Sequence, residues 1–251
     1  VALWDDLIAP DFLLLPDNAS QRGEVRIALT EMVSTQAAYA YYPGLAEGKP
    51  GDIWFNADFG PWNWGRGGFD FYSMIHETGH VIGLEHTFDQ PAVPRQFDNQ
   101  RFSVMSYMPV AEYAVSFGWQ GNEFLATFSS PYPQTPMVLD IAAVQAIYGA
   151  DRGTRAGDTT YRFDQWSPAL QTIYDADGID TLDLSGFTLA NHIDLDPGAY
   201  SSIGMASVDQ QIAYWSAKVP SEADFIAYIF KTYMPAQRLS AYEFKDNLAI
   251  A

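Results

Sequence analysis

The feature that most limits what this chain can become is the segment His76-Glu77-Thr78-Gly79-His80-Val81-Ile82-Gly83-Leu84-Glu85-His86. On a helix, His76 and His80 lie one turn apart and face the same way, so both imidazoles can ligate one ion. Glu77 sits beside the first histidine, where its carboxylate reaches a water on the ion more readily than the ion itself. Gly83 lets the backbone leave the helix and turn, which brings His86 round as a third ligand. Three histidines leave the open coordination position that a catalytic zinc needs, and Glu77 can take the proton of the water that fills it. The ordinary alternative is a helix whose histidines fall together by chance. Against it, three of the four histidines in the chain lie in this one run, with the Glu and Gly placed as well. The expectation is one catalytic zinc on His76, His80 and His86; His192 is expected to be structural or exposed.

Composition narrows the setting. The 251 residues carry 13 Lys and Arg against 31 Asp and Glu, a formal net charge of −18. Hydrophobic residues make up 48% and charged residues only 18%, so the acidity is not that of a disordered tail. So acidic a chain is a poor partner for a nucleic-acid backbone, and no nucleic acid is expected. The longest strongly apolar stretch, residues 12–15, closes at Pro16, far short of the ~20 residues of a membrane span. No basic region followed by an apolar one, the mark of a cleaved signal peptide, is visible at the N-terminus. With no cysteine in the chain, disulfides, thiol catalysis and thiolate metal sites are excluded.

Residues 1–60 read as strands joined by turns, because residues 24–30 and 52–56 alternate polar and apolar side chains. Residues 70–150 carry helical signals. Phe71, Met74, Ile75, Thr78, Val81 and Ile82 recur at helical spacing, and residues 138–148 form a second apolar face closed by Gly149. From Asp151 the composition shifts to Asp, Gly and Thr with short strands, which sets a domain boundary near residue 150. Apolar residues at 225, 226, 229, 230 and 233 predict an amphipathic helix over residues 221–233. No internal repeat of fixed period is visible.

The histidine segment is the metzincin signature, and its partner, a turn containing Met, follows as Phe102-Ser103-Val104-Met105-Ser106-Tyr107. This form resembles the serralysin family of secreted bacterial, RTX-type zinc metallopeptidases. The resemblance implies that Met105 lies beneath the histidines as a structural base. It implies that Tyr107 ligates the resting zinc and swings away to stabilise the oxyanion. It extends to residues 139–150, similar to the helix closing the catalytic domain, and to residues 154–161 and 174–186, similar to the entry of a C-terminal β-roll. Residues 34–44 and 52–56 are similar to the family's sheet, whose edge strand binds extended peptide. That role is assigned to residues 52–56 or their immediate neighbours, with Ile53, Trp54 and Phe55 as substrate-binding residues. Coverage is about residues 24–205.

The fold implied is α+β: a metzincin catalytic domain over residues 1–150, with a twisted, mostly parallel sheet and a long zinc-binding helix. It is followed, over residues 151–251, by the start of a calcium-binding β-roll or β-sandwich domain. Arg155, Gly157 and Thr159, through backbone carbonyls, and Asp175, Asp177 and Asp180 are the calcium ligands the resemblance implies, for at least one structural ion. Asp-rich turns are more often simply solvated loops, and the glycine-rich nonapeptide repeat does not occur in the chain. Several departures stand out. The usual Pro after the third histidine is Thr87, although Asp89 matches an Asp suited to orienting a histidine. The stretch leading to the Met turn is shorter than usual. Residues 207–240 look like an insertion without a counterpart. Residues 1–6 read as half of the family's first helix and residues 245–251 as a lead into calcium repeats. Both ends therefore look cut, and the piece is expected to fold poorly alone.

The activity implied is a secreted zinc endopeptidase in which Glu77 drives attack of zinc-bound water on extended protein or peptide substrates. Export would use a C-terminal signal without a cleaved leader, and a proteinaceous inhibitor is a further partner class. The competing readings are a catalytically silent, calcium-stabilised binding or surface-layer module and a zinc hydrolase of non-peptide amides.

Overall fold

The computed structural model describes residues 1–16, 18, 20–33, 35–44, 49–166, 169–237, 239–241 and 248–251. Ser34 and residues 245–247, which entered the family resemblance, lie outside the described residues. The architecture is α+β. After a short helix α1 (Ala2–Asp5) come β1 (Arg26–Thr30), β2 (Ala38–Ala40) and β3 (Asp52–Asn56), in the spatial order β1-β3-β2. The β1–β3 pair is parallel and the β2–β3 pair antiparallel, so this sheet is mixed where a mostly parallel one was expected. Arg26 locks the parallel register by gripping the buried carboxylate of Asp52, its direct partner across the pair, with two nitrogens.

The edge-strand assignment of Asp52–Asn56 is corrected by this order. β3 is the central strand, hydrogen-bonded on both sides, so its backbone cannot receive an added strand. Ile53 and Phe55 are 0% and 1% exposed and pack on Val81; Trp54 is half-buried. Ile53 and Phe55 are therefore not free to grip a substrate. The open edge near the histidines is β2.

Helix α2 (Phe69–Val81) presents Met74 and Val81 to this sheet, and its opposite face to the main core. That core joins Trp4, Leu7 and Ile8 to Ile75, Val104, Met105 and Ile141 and Val144 of α3 (Val138–Tyr148). Both helices coincide with the apolar periodicity of the sequence. Between them the helical reading of residues 70–150 fails, because β4 (Glu112–Gln120) and β5 (Glu123–Ser129) form a long antiparallel hairpin there. Val115, Phe117 and Phe124, Ala126, Phe128 alternate along its strands, and Gly121, at φ 62, opens the two-residue turn.

Five short strands follow: β6 (Thr160–Arg162), β7 (Gln171–Ile173), β8 (Thr181–Asp183), β9 (Ala190–His192) and β10 (Tyr200–Met205). β6 pairs with β8, and β7, β12 (Leu248–Ile250), β10 and β9 make a four-stranded sheet. Leu170 enters the main core and Pro133 bridges to it, so apolar contacts run across residue 150. Residues 208–236 are helical apart from a break at Val219. α4 (Val208–Lys218), α5 (Ala223–Tyr228), a π-helical turn at Ile229–Tyr233 and α6 (Met234–Ala236) pack Ile226, Ile229, Phe230 and Met234 onto the hairpin. β11 (Ser240–Ala241) then pairs with β4.

At Gly79 this packing leaves no room for a side chain. A Cβ would lie 2.6 Å from Met105 Sδ and 3.3 Å from the Trp4 ring, both of which are fully buried. In an open helix, Ala in place of Gly adds about 1 kcal/mol of stability. Here overpacking reverses the sign, and Gly79→Ala is expected to cost about 1–3 kcal/mol. A lowered denaturation midpoint at unchanged m-value checks this; an equal or higher midpoint would mean that Met105 gives way.

Candidate metal centre

His76 and His80 share one face of α2 and are 4% and 5% exposed. The helix ends at Val81, and Gly83, at φ 95, reverses the chain while Leu84 N–H donates to Gly79 O at 2.9 Å. This turn brings His86 back, as the sequence predicts. All three histidines place a ring nitrogen within 4.8 Å of one another, the only such group of three or more His, Cys, Asp or Glu among the described residues.

The protonation of the rings follows from their partners. His76 Nδ1 faces Val104 O at 2.7 Å, His80 Nδ1 faces Leu84 O at 2.7 Å, and His86 Nδ1 faces Asp89 Oδ2 at 3.0 Å. Each of these oxygens can only accept, so each Nδ1 carries the hydrogen and each Nε2 offers a lone pair inward. Burial presses the same way, lowering the pKa of His76 to about 3 and of His80 to about 4. His80 Nε2 and His86 Nε2 are 3.2 Å apart. That spacing is close to the ~3.3 Å separating two nitrogens on a tetrahedral zinc with bonds of about 2.0–2.1 Å. The donor set, neutral imidazoles with tethered rear nitrogens, fits zinc.

Glu77 is 7% exposed, and its Oε2 is buried with no hydrogen-bond partner; burial pushes its pKa up to about 8. Tyr107 is exposed, and its hydroxyl reaches His86 Nε2 at 2.9 Å. Phe88 stacks on His86 with ring centroids 4.8 Å apart, and Tyr42 meets His80 edge-on at 5.2 Å. Met105 presses its sulfur on the Gly79 turn, between the two helical histidines. The structure thus brings His76, Glu77, His80, His86, Met105 and Tyr107 to one place.

Two supports were not singled out as functional in the sequence. Asp140, fully buried, accepts from Ser103 Oγ at 2.6 Å, Val104 N at 2.8 Å and Met137 N at 2.7 Å. It thereby holds the residue whose carbonyl orients His76. Asp140 lies three residues after the helix N-cap, the capping-box place, and that signal was available. Asp98 Oδ1 accepts from both Thr87 Oγ1 and Ser106 Oγ, tying the third-histidine loop to the Met turn.

The segments expected to hold calcium lie side by side, away from the histidines. Gly178, at φ 125, comes so close to Gly157 that a Cβ would meet its carbonyl carbon at 2.9 Å. Thr159 N–H donates to Asp180 Oδ1 at 2.9 Å, Tyr161 donates its hydroxyl to Asp175, and Gly178 N–H donates to Asp177 Oδ1. Arg155, at φ 51, donates from its guanidinium to Tyr174 O. The carboxylates of Asp175, Asp177 and Asp180 do not converge on a point, so the side chains alone do not form a cation cage.

The Asp140 network yields a pH-dependent expectation. Burial raises its pKa to about 6, against the three donors that lower it. The folded state therefore binds a proton that the unfolded state has released between about pH 4 and 6, so this contribution to stability is full below pH 4 and fades as pH rises to 6. Asp140→Asn removes the titration and sets an amide NH2 against a donor, at about 1–3 kcal/mol. The stability gap between variant and parent is expected to widen as pH falls from 6 to 4; a gap constant across that range would mean Asp140 is ionised throughout.

Comparison with known proteins bears on most of the chain. The sequence model of the family described as Peptidase M10 serralysin C terminal matches residues 137–217, a stretch that begins after the histidine segment. Serralysin C of Dickeya chrysanthemi is 32% identical over 201 residues, covering 70% of this chain and 39% of its own. Metallopeptidase AprA of Pseudomonas marginalis is 32% identical, covering 67% and 39%. A serralysin of Photorhabdus sp. (strain Az29) is 31% identical over 217 residues, covering 80% and 44%. The chain spans about two fifths of the length of these relatives. No helix among the described residues is long and apolar enough to cross a membrane. On the strength of this similarity, the chain is serralysin-like.

Proposed function

We propose that the protein is a secreted zinc endopeptidase of the metzincin kind, acting on extended protein substrates. The observation that carries this reading is the meeting of three rear-tethered histidines with the unpartnered oxygen of Glu77 at an open cleft. Zinc held by His76, His80 and His86 would polarise the scissile carbonyl and acidify water. Glu77 is placed beside the ligands and not among them, so its Oε2 can take the proton of the attacking water and pass it to the leaving amine. The Tyr107 hydroxyl, now turned to His86, is the donor that can follow the carbonyl oxygen as it gains charge.

Substrate would add to β2. The bonds Tyr41 N to Asp52 O and Asn56 N to Ala37 O mark residues 37, 39 and 41 as facing β3. By the alternation of an antiparallel pair, the backbone groups of Ala38 and Ala40 point outward, free to pair with an extended peptide. A proteinaceous inhibitor would compete for the same edge. In this reading residues 1–150 are the catalytic domain and residues 151–251 the start of a calcium-binding one. The close approach of Gly157 and Gly178 supports a structural calcium near Arg155, Gly157, Thr159, Asp175, Asp177 and Asp180, with backbone oxygens as the main donors.

Zinc-loaded protein is expected to digest casein, and a chelator to stop it. Glu77→Ala should retain zinc by metal analysis while kcat/KM falls by about 10²–10⁴-fold; turnover near the parent's with metal bound removes Glu77 as the base. Tyr107→Phe is expected to lower kcat about 10²-fold, the scale of one lost oxyanion donor, with KM little changed. A raised KM at constant kcat would instead assign Tyr107 to substrate binding.

A further inference from the structure

Beside the histidines lies a cavity of about 850 Å³, bordered by Phe69, Tyr72, Tyr132 and Gln100. Tyr132 stacks on Tyr72 with ring centroids 5.3 Å apart and meets Phe69 edge-on at 5.8 Å. Such walls suit a flat, apolar side chain. Gln100 adds a polar demand. It is 4% exposed, and its Oε1 is buried with no hydrogen-bond partner.

The orientation of this amide is fixed by its neighbours. Nε2 lies 3.5 Å from Ser106 O, which can only accept and which also receives the Tyr72 hydroxyl at 2.7 Å. Turning the amide over would set two acceptors against each other. Its nitrogen therefore faces an acceptor, while its carbonyl has no partner. An unpaired buried acceptor in a native fold calls for an explanation. The terminal amide torsion is soft, so Oε1 can be presented to a donor that enters the cavity.

We propose that Gln100 makes this cavity selective for a peptide side chain that is aromatic and bears a hydrogen-bond donor at its far end, tyrosine above phenylalanine. The proposal rests on the endopeptidase reading for its setting and supplies that reading with a side-chain preference. A cationic side chain is the weaker fit, because Glu77 is the one acidic residue on the cavity wall among the described residues. A site built to pair a substrate hydroxyl discriminates strongly against the analogue that lacks it, since its own group is then left unpaired.

Two measurements test this. In the first, N-acetyl-tyrosinamide and N-acetyl-phenylalaninamide are titrated into metal-free protein and followed by NMR, for the parent and for Gln100→Met, a change near in size that removes the acceptor. The tyrosine-to-phenylalanine affinity ratio is expected to fall at least fivefold in the variant; an unchanged ratio overturns the proposal. In the second, which needs no variant, zinc-loaded parent cleaves peptide pairs differing only by Tyr or Phe at each position flanking the scissile bond. One position should favour Tyr about tenfold or more in kcat/KM. Equal rates at every position, or a preference for Arg or Lys, overturn the proposal while leaving the endopeptidase reading intact. Selective tyrosine binding with no cleavage of any peptide supports the role of Gln100 and overturns the peptidase reading alone.

Discussion

Three ring nitrogens with unprotonated lone pairs face one point because the opposite nitrogen of each ring is held by an oxygen that cannot donate. This constraint organises everything around it. Left to themselves, the rings would be free to turn, yet the Nε2 atoms of His80 and His86 stand 3.2 Å apart. They do not turn because their rear partners are backbone carbonyls and one carboxylate, each anchored by structure of its own. The spacing is therefore held by the anchors behind the rings.

The anchors lead outward in three directions. Leu84 O, behind His80, is set by the reversal at Gly83, a conformation that side chains resist. Val104 O, behind His76, belongs to a turn pinned by the bonds of Ser103 and Val104 to Asp140 and pressed from below by the contact of Met105 with Gly79. Asp89, behind His86, is local and also accepts from His86 N–H. The helical pair is thus held by the fold at large and the third histidine by its own loop. Apolar packing sets the distances among these parts: Trp4 donates its indole N–H to Ile75 O and seals the same turn of α2.

The meeting of the three histidines was legible in the sequence because its geometry is local. A helical repeat of four, a glycine three residues on and a histidine after it bring the rings together without knowledge of the rest. Met105 and Tyr107 were legible only through resemblance, since a Met and a Tyr alone are ordinary packing residues. Two of the three tethers were not legible at all, because backbone carbonyls leave no mark on residue identity. The edge strand was misassigned for a related reason. Alternation in residues 52–56 identifies a strand, but which strand lies outermost depends on partners far along the chain, and here β3 lies between β1 and β2. The hairpin of β4 and β5 carried a clear alternation and a Gly-Asn turn that a helical reading of the surrounding stretch passed over. Gln100 shows the opposite limit, for its identity says nothing until burial removes every donor but the ones already taken.

The hairpin has a meaning beyond its topology. Its base places Tyr113 and Phe128 on the cavity wall, while Phe117 and Phe124 are clasped by Phe225, Phe230 and Trp215 of the later helices. This small core shares no residue with the one that carries the histidines. The histidine cluster and one wall of the cavity beside it are therefore built as separate pieces of masonry. Residues of α4 to α6 can be exchanged, and that wall moved or reshaped, with the histidine cluster left standing.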